Sequence, residues 1–265
     1  MVKTQSISQP KSTSSAHVSV ENVQRVFGKD QDKHVALTGV SFEIKAREFI
    51  GVVGPSGCGK STLLKLIAGL LRCTEGKVFI ENQEMTGPRD DVGLMFQTPT
   101  LFPWRTVKKN ILLPFEVRGD KDTDRERRLT EALDLVGLAG LENRLPRELS
   151  GGMQQRVALC RLLVSDPNLM LMDEPFGSLD EFTRERLNVE LARITEHEGK
   201  TALFVTHNIS EAVFLSDRIV VMGTNPGRVL GIVKIDLPRP RVAALLTSPD
   251  HLAKVQQVRE VLGLG

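Results

Sequence analysis

The chain has 265 residues, 40% hydrophobic and 26% charged, a balance that excludes a disordered or collagen-like chain and leaves room for one large or two modest domains. The net charge of +2 gives no case for a broad nucleic-acid surface, so no nucleic-acid partner is expected. Apolar runs fall short of a membrane span, and Cys58, Cys73 and Cys160 lack metal-like spacing, which suggests reduced thiols of a cytosolic protein. In chain order, residues 1–17 are rich in Ser, Thr and Gln and are predicted to form a flexible tail without a signal-peptide core. Strand patterns over 18–27 and 40–44 predict an antiparallel β region. Apolar runs at 49–53, 92–95, 169–172, 202–206 and 218–222 predict a mainly parallel core sheet. From 98 to 166 strand signals vanish, and helical patterns at 107–113, 122–136 and 153–165 predict an inserted helical subdomain. An amphipathic helical pattern over 250–262 falls in a short C-terminal segment, 242–265.

The run at 49–53 leads into Gly54, Pro55, Ser56, Gly57, Cys58, Gly59, Lys60, Ser61 and Thr62, which fits the phosphate-binding pattern G-x-x-x-x-G-K-[ST] between a strand and a helix. Gly54, Gly57 and Gly59 permit positive φ and close approach to an anion, and backbone N–H groups at the helix start favour phosphates. Lys60 is expected to hold the β- and γ-phosphates of ATP, and the Ser61 hydroxyl to ligate Mg²⁺. Cys58 lies inside this loop. The helix dipole is expected to lower its pKa, its alkylation to block ATP, and ATP to protect it.

The run at 169–172 ends in Asp173-Glu174, where α/β sheets place ligands. Asp173 is expected to hold Mg²⁺, and Glu174 to orient and deprotonate the attacking water. A second glycine turn, Ser150-Gly151-Gly152, precedes the helical pattern at 153–165, with Ser150 as its N-cap and N–H groups open to an anion.

Together the phosphate loop and the string Leu149-Ser-Gly-Gly-Met-Gln-Gln-Arg156, just upstream of Asp173-Glu174, resemble the Walker A and signature motifs of the ATP-binding cassette (ABC) family. The resemblance runs from about residue 18 to 241. It implies an α/β fold with a P-loop NTPase (RecA-like) core, an antiparallel β region and an inserted α-helical subdomain. It also implies a homodimer in which Ser150, Gly151 and Gly152 of one copy cap ATP on the phosphate loop of the other. Gln97 matches the family's Q-loop and is implied to contact Mg²⁺ or the attacking water. His207, in Thr206-His-Asn-Ile-Ser-Glu211, matches the switch histidine and is implied to contact the γ-phosphate. Ser178-Leu-Asp180 resembles the D-loop, and Ser178 with Glu181 also fits a capping box.

Two departures stand out. The chain has no tyrosine to stack on adenine; Phe27 occupies that place, either as the stacking ring or as a core aromatic of an edge strand. Arg47 stands where the family carries glycine, a surface hairpin change with no catalytic consequence expected. The strings 110–119, 226–229 and 235–241 resemble importers of the nitrate/sulfonate/taurine/bicarbonate subgroup, and importers of pyrimidine precursors carry similar ones. This implies an ATP-hydrolysing subunit on the cytoplasmic face of the membrane, working with permease subunits and indirectly with an extracytoplasmic solute-binding protein. Phe102 and Trp104, in the loop after Gln97, are either the permease contact or packing for the helical subdomain. The rival class is a cytosolic ABC ATPase with soluble partners. Its DNA-repair members insert long coiled coils, and no heptad array separates the two glycine turns here.

Overall fold

Three five-residue strands without an exposed position form the centre of the protein: β3 (Phe49–Val53), β7 (Leu169–Asp173) and β8 (Thr201–Val205). The structure is a computed structural model that describes residues 16–28, 32–119 and 124–264. Strands buried on both faces suit a parallel sheet covered on each side, which is why these segments read as unbroken apolar runs. They pair with β6 (Val92–Met95), β9 (Arg218–Gly223) and β10 (Arg228–Lys234) in the order β10-β9-β3-β8-β7-β6. All neighbours are parallel except β10 with β9. Phe204 on β8 sits between Phe49 and Phe176, ring centroids 5.9 and 5.8 Å away. Burial of such a ring contributes about 1.5–3 kcal/mol.

A second, antiparallel sheet has the order β2-β1-β4-β5, from β1 (Ala16–Phe27), β2 (His34–Lys45), β4 (Glu75–Ile80) and β5 (Gln83–Glu84). Along β2 buried and exposed residues alternate, as in a sheet with one dry face. That face shares a core with α1 (Lys60–Ile67) and the central strands through Val18, Phe42, Leu63, Ile67, Val52 and Leu203.

Among the described residues between β6 and β7 lie four α-helices: α2 (Val107–Ile111), α3 (Leu113–Arg118), α4 (Arg125–Val136) and α5 (Gly151–Val164). The sequence pattern 107–113 splits because Pro114 cannot donate a helical hydrogen bond and crowds the carbonyl four residues earlier. Gly119 and Gly137 end α3 and α4 with φ of 66° and 67°. Beyond β7 come α6 (Glu181–Glu198), α7 (Ile209–Leu215) and α8 (Pro249–Val261). Among the described residues, no helix is long and apolar enough to cross a membrane.

Several expectations change in detail. The expected tail, 1–17, lies outside the described residues up to 15, and Ala16 already belongs to β1. The strands β4, β5 and β10 lack the apolar runs by which the others were legible. The N-cap of α6 is Asp180, accepting from the Thr183 amide at 2.9 Å, and not a Ser178–Glu181 capping box. Arg47 turns between β2 and β3 with φ 63°, a conformation that favours glycine.

Candidate active site

The order β3-β8-β7-β6 places four loops side by side at the carboxyl ends of adjacent parallel strands. The phosphate loop follows β3, His207 follows β8, Asp173 ends β7 with Glu174 next, and Gln97 follows β6. Residues from four stretches of sequence therefore converge where an open α/β sheet places its ligand.

The phosphate loop is shaped by sterics as well as by φ. Gly57 and Gly59 have φ of 78° and 89°. A Cβ on Gly54 would lie 2.5 Å from the Met222 carbonyl oxygen. Gly59 caps α1 without a side-chain hydrogen bond, and no acid occupies the first turn. The N–H end of α1 is thus open to an anion. The Lys60 ammonium is buried and donates to the carbonyls of Gly54 at 2.8 Å and Pro55 at 3.0 Å.

Asp173 is 4% exposed, and its Oδ1 has no hydrogen-bond partner. Burial raises its pKa above the ordinary carboxylate value; the Ser61 hydroxyl opposes this and the charge on Glu174 adds to it. A buried, unsatisfied carboxylate oxygen beside a serine hydroxyl is costly on its own and suits a hard cation.

Glu174 adopts φ 47°, rare for a residue with a side chain, and its amide donates to the Val205 carbonyl at 2.8 Å. Its Oε2 accepts from Gln97 Nε2 at 3.1 Å and lies 3.2 Å from His207 Nδ1. His207 is exposed, whereas Glu174 is largely covered. The three expected hydrolytic residues therefore form one contact cluster.

A brace behind His207 was not legible in the sequence. The Thr206 hydroxyl donates to Glu211 Oε2 at 2.8 Å and accepts from the Asn208 amide at 3.0 Å. Arg184 Nε lies 3.6 Å from Glu211 Oε1, and its Nη2 donates to the Leu179 carbonyl at 3.0 Å. Burial raises the Glu211 pKa, with Thr206 and Arg184 opposing. The contact spans two helices, and only their packing brings it together.

Ser150 Oγ caps α5, accepting from the Met153 amide at 3.3 Å. A Cβ on Gly151 would meet nothing within 4 Å, so this helix start is open. Gly152 faces the Ser178 carbonyl and Leu179. Phe27 ends β1 half-buried with Arg25 Cζ 4.5 Å from its ring centroid, so it is not a core aromatic. Trp104 is 72% exposed beside Phe102, ring centroids 5.2 Å apart, which rules out packing into the helical subdomain. Cys58 is buried. Burial raises its pKa despite nearby Lys60, opposite to the effect expected from the helix dipole.

A phosphate loop, an acidic pair and a glutamine and histidine on four neighbouring strand ends, with a second glycine-started helix in the insert, define a P-loop ATPase cassette. The family model described as "ABC transporter" matches residues 37–177. The chain belongs to the ABC transporter family, as an ATP-hydrolysing cassette. It is 49% identical over 239 residues to the uncharacterized ABC transporter ATP-binding protein MJ0412 of Methanocaldococcus jannaschii, covering 90% of each. It is 42% identical to the aliphatic sulfonates import ATP-binding protein SsuB of Bacillus cereus, over 93% of this chain and 97% of that one. It is 46% identical to the bicarbonate transport ATP-binding protein CmpC of Synechocystis, over 86% of this chain and 35% of that longer one. Among solved structures, the dimeric post-hydrolysis structure of the ATP-binding cassette MJ0796 bound to ADP and Pi matches with a TM-score of 0.76. That match has 34% identity and covers 83% of this chain and all of that one.

Proposed function

We propose that this chain is the ATP-binding and ATP-hydrolysing subunit of a membrane importer for a small anionic or organic solute. Support comes from its similarity to sulfonate and bicarbonate import subunits. In this reading the protein sits peripherally on the cytoplasmic face of the membrane, against permease subunits that receive solute from an extracytoplasmic binding protein. The ATPase unit is 18–241, its helical subdomain is about 98–166, and 242–265 is a short C-terminal segment. The exposed Phe102–Trp104 pair is the permease contact.

The observation that carries the hydrolytic reading is the convergence of Gln97 and His207 on one oxygen of Glu174. Lys60 and the backbone of residues 54–62 bind the phosphates, and Phe27 stacks the adenine. Glu174 accepts the proton of the attacking water; its two partners keep Oε2 aimed, and His207 also reaches the γ-phosphate. Ser61 and Asp173, with Gln97, would hold Mg²⁺. The unpartnered Asp173 Oδ1 fits that ion, and among the described residues no cluster of three His, Cys, Asp or Glu offers another site. When bound, Mg²⁺ neutralises charge on the β- and γ-phosphates. Ser150, Gly151 and Gly152 cap ATP held by a second copy, which is why the start of α5 is open. ATP must then favour the closed dimer over the open one for closure to do work on the permease.

The test is a mixed dimer. Ser150→Arg and Lys60→Ala are each expected to be inactive alone. Mixed together, they are expected to recover one intact site and measurable ATP hydrolysis. Failure of the mixture to form an ATP-trapped dimer, or to hydrolyse ATP, refutes the shared site.

A further inference from the structure

Arg161, near the C-terminal end of α5, is largely covered and has no acidic partner among the described residues: burial disfavours its charge. Its guanidinium spends its hydrogen bonds on one residue of a different segment. Nη1 donates to the Thr100 carbonyl at 2.8 Å, and Nη2 to the Thr100 hydroxyl at 3.1 Å. Thr100 lies midway between Gln97, bonded to Glu174, and the exposed Trp104.

The far end of the same loop is fixed separately. The buried Asn110 side chain accepts from the Phe102 amide at 2.8 Å and donates to the carbonyls of Phe102, Arg105 and Thr106. Asn110 therefore sets the shape of the loop, and Arg161 attaches the shaped loop to α5. A partly covered cation that bonds only neutral oxygens adds little stability, because an apolar side chain of similar volume can be as good or better. What an arginine adds here is a two-pronged, directional grip on another segment.

We propose that Arg161 is a positioning residue that fastens the Trp104 loop to the helix opened by Ser150-Gly151-Gly152, so that movement of this helix on ATP binding is carried to Trp104. The start of α5 and Arg161 are about 15 Å apart at 1.5 Å per helical residue, and a helix transmits displacement over that distance as a rigid rod. The proposal rests on the reading above that the α5 start caps ATP.

Trp104 is the only tryptophan of the chain, so intrinsic fluorescence reports on this loop alone. The experiment measures acrylamide quenching of Trp104 with and without Mg·ATP, in a Glu174→Gln background that preserves bound ATP. Nucleotide binding by equilibrium dialysis and thermal melting are followed in parallel. Arg161→Met keeps the length and removes the grip. It is expected to fold with unchanged or raised Tm, to bind ATP, and to lose the ATP-induced change in quenching. Arg161→Lys and Thr100→Val are expected to retain part of it. An ATP-induced change as large in Arg161→Met as in the parent overturns the proposal, and so does a parent that binds ATP without any change at Trp104. A lowered Tm with the ATP response intact assigns Arg161 to structure alone and also overturns it. A parent that binds no ATP refutes the ATPase reading itself.

Discussion

Asp173→Asn separates what the site costs from what it does. The carboxylate is 4% exposed with an unpartnered Oδ1, and burial holds its pKa above the ordinary value. Because the folded pKa is the higher one, the folded chain takes up this proton at a pH where the unfolded chain still lacks it. Ionisation of Asp173 therefore opposes folding at neutral pH, and the penalty fades as pH falls through the folded pKa towards the unfolded one. Asparagine keeps the shape without the charge. Without ligand, the variant should gain on the order of 1 kcal/mol at neutral pH, or about 2–4 °C in Tm for a chain of this size. The gain should shrink on acidification. With Mg·ATP at a hundredfold excess over Kd the wild type should gain about 2.7 kcal/mol, and the variant little, because the charge that meets the ion is gone. The two stability orders cross. Calorimetry across about pH 5–8, with and without Mg·ATP, reads both effects. A variant less stable than wild type without ligand, or one with the full Mg·ATP shift, would refute the reasoning.

Glu174→Gln keeps the contacts to Gln97 and His207 in outline but removes the base. Phosphate release should fall by about 10²–10⁴-fold, while an ATP-bound dimer accumulates on size-exclusion chromatography; turnover within about tenfold of wild type would sink its assignment as base. Cys58 is fully buried with a raised pKa, whereas Cys73 is partly exposed. Peptide mass spectrometry after brief iodoacetamide treatment should find Cys73 modified before Cys58, and the reverse order would contradict the buried-thiol description.

The central strands were legible because burial on both faces leaves an unbroken apolar run, as in Leu169-Met-Leu-Met172. The edges were not. Glu75-Gly-Lys-Val-Phe-Ile80 shows its first three residues to solvent, and Arg228–Lys234 alternates around a glycine, so neither run looks like a buried strand. The residues of the candidate site were readable because each motif is local: a turn after a strand carries its own chemistry. Thr206–Glu211–Arg184 and Arg161–Thr100 were not readable, since the partners come from separate elements and depend on how helices pack. Arg47 is a departure from glycine whose backbone cost the sequence does not display. Its φ of 63° supplies the reason that glycine is favoured there.

The brace behind His207 also bears on why the two glycine turns occur in one chain. A Cβ on Gly152 would lie 3.2 Å from Leu179 Cδ2 and 3.3 Å from the Ser178 carbonyl oxygen, so little space separates the α5 start from that turn. The Leu179 carbonyl is held by Arg184, Arg184 faces Glu211, and Glu211 receives the Thr206 hydroxyl next to His207. Together these neighbours make a spatial route from the turn that would cap a neighbour's ATP to the residue beside the histidine that would act on the chain's own. Burial stiffens the middle of this route: Glu211, Thr206 and Leu179 are all buried, and close-packed interiors do not absorb displacement freely. On the proposed shared site, a displacement of the α5 start by a partner's nucleotide would press towards Leu179, whose carbonyl Arg184 holds. Under that reading the two half-sites of one chain share a close-packed frame, and occupation of one would bear on the other.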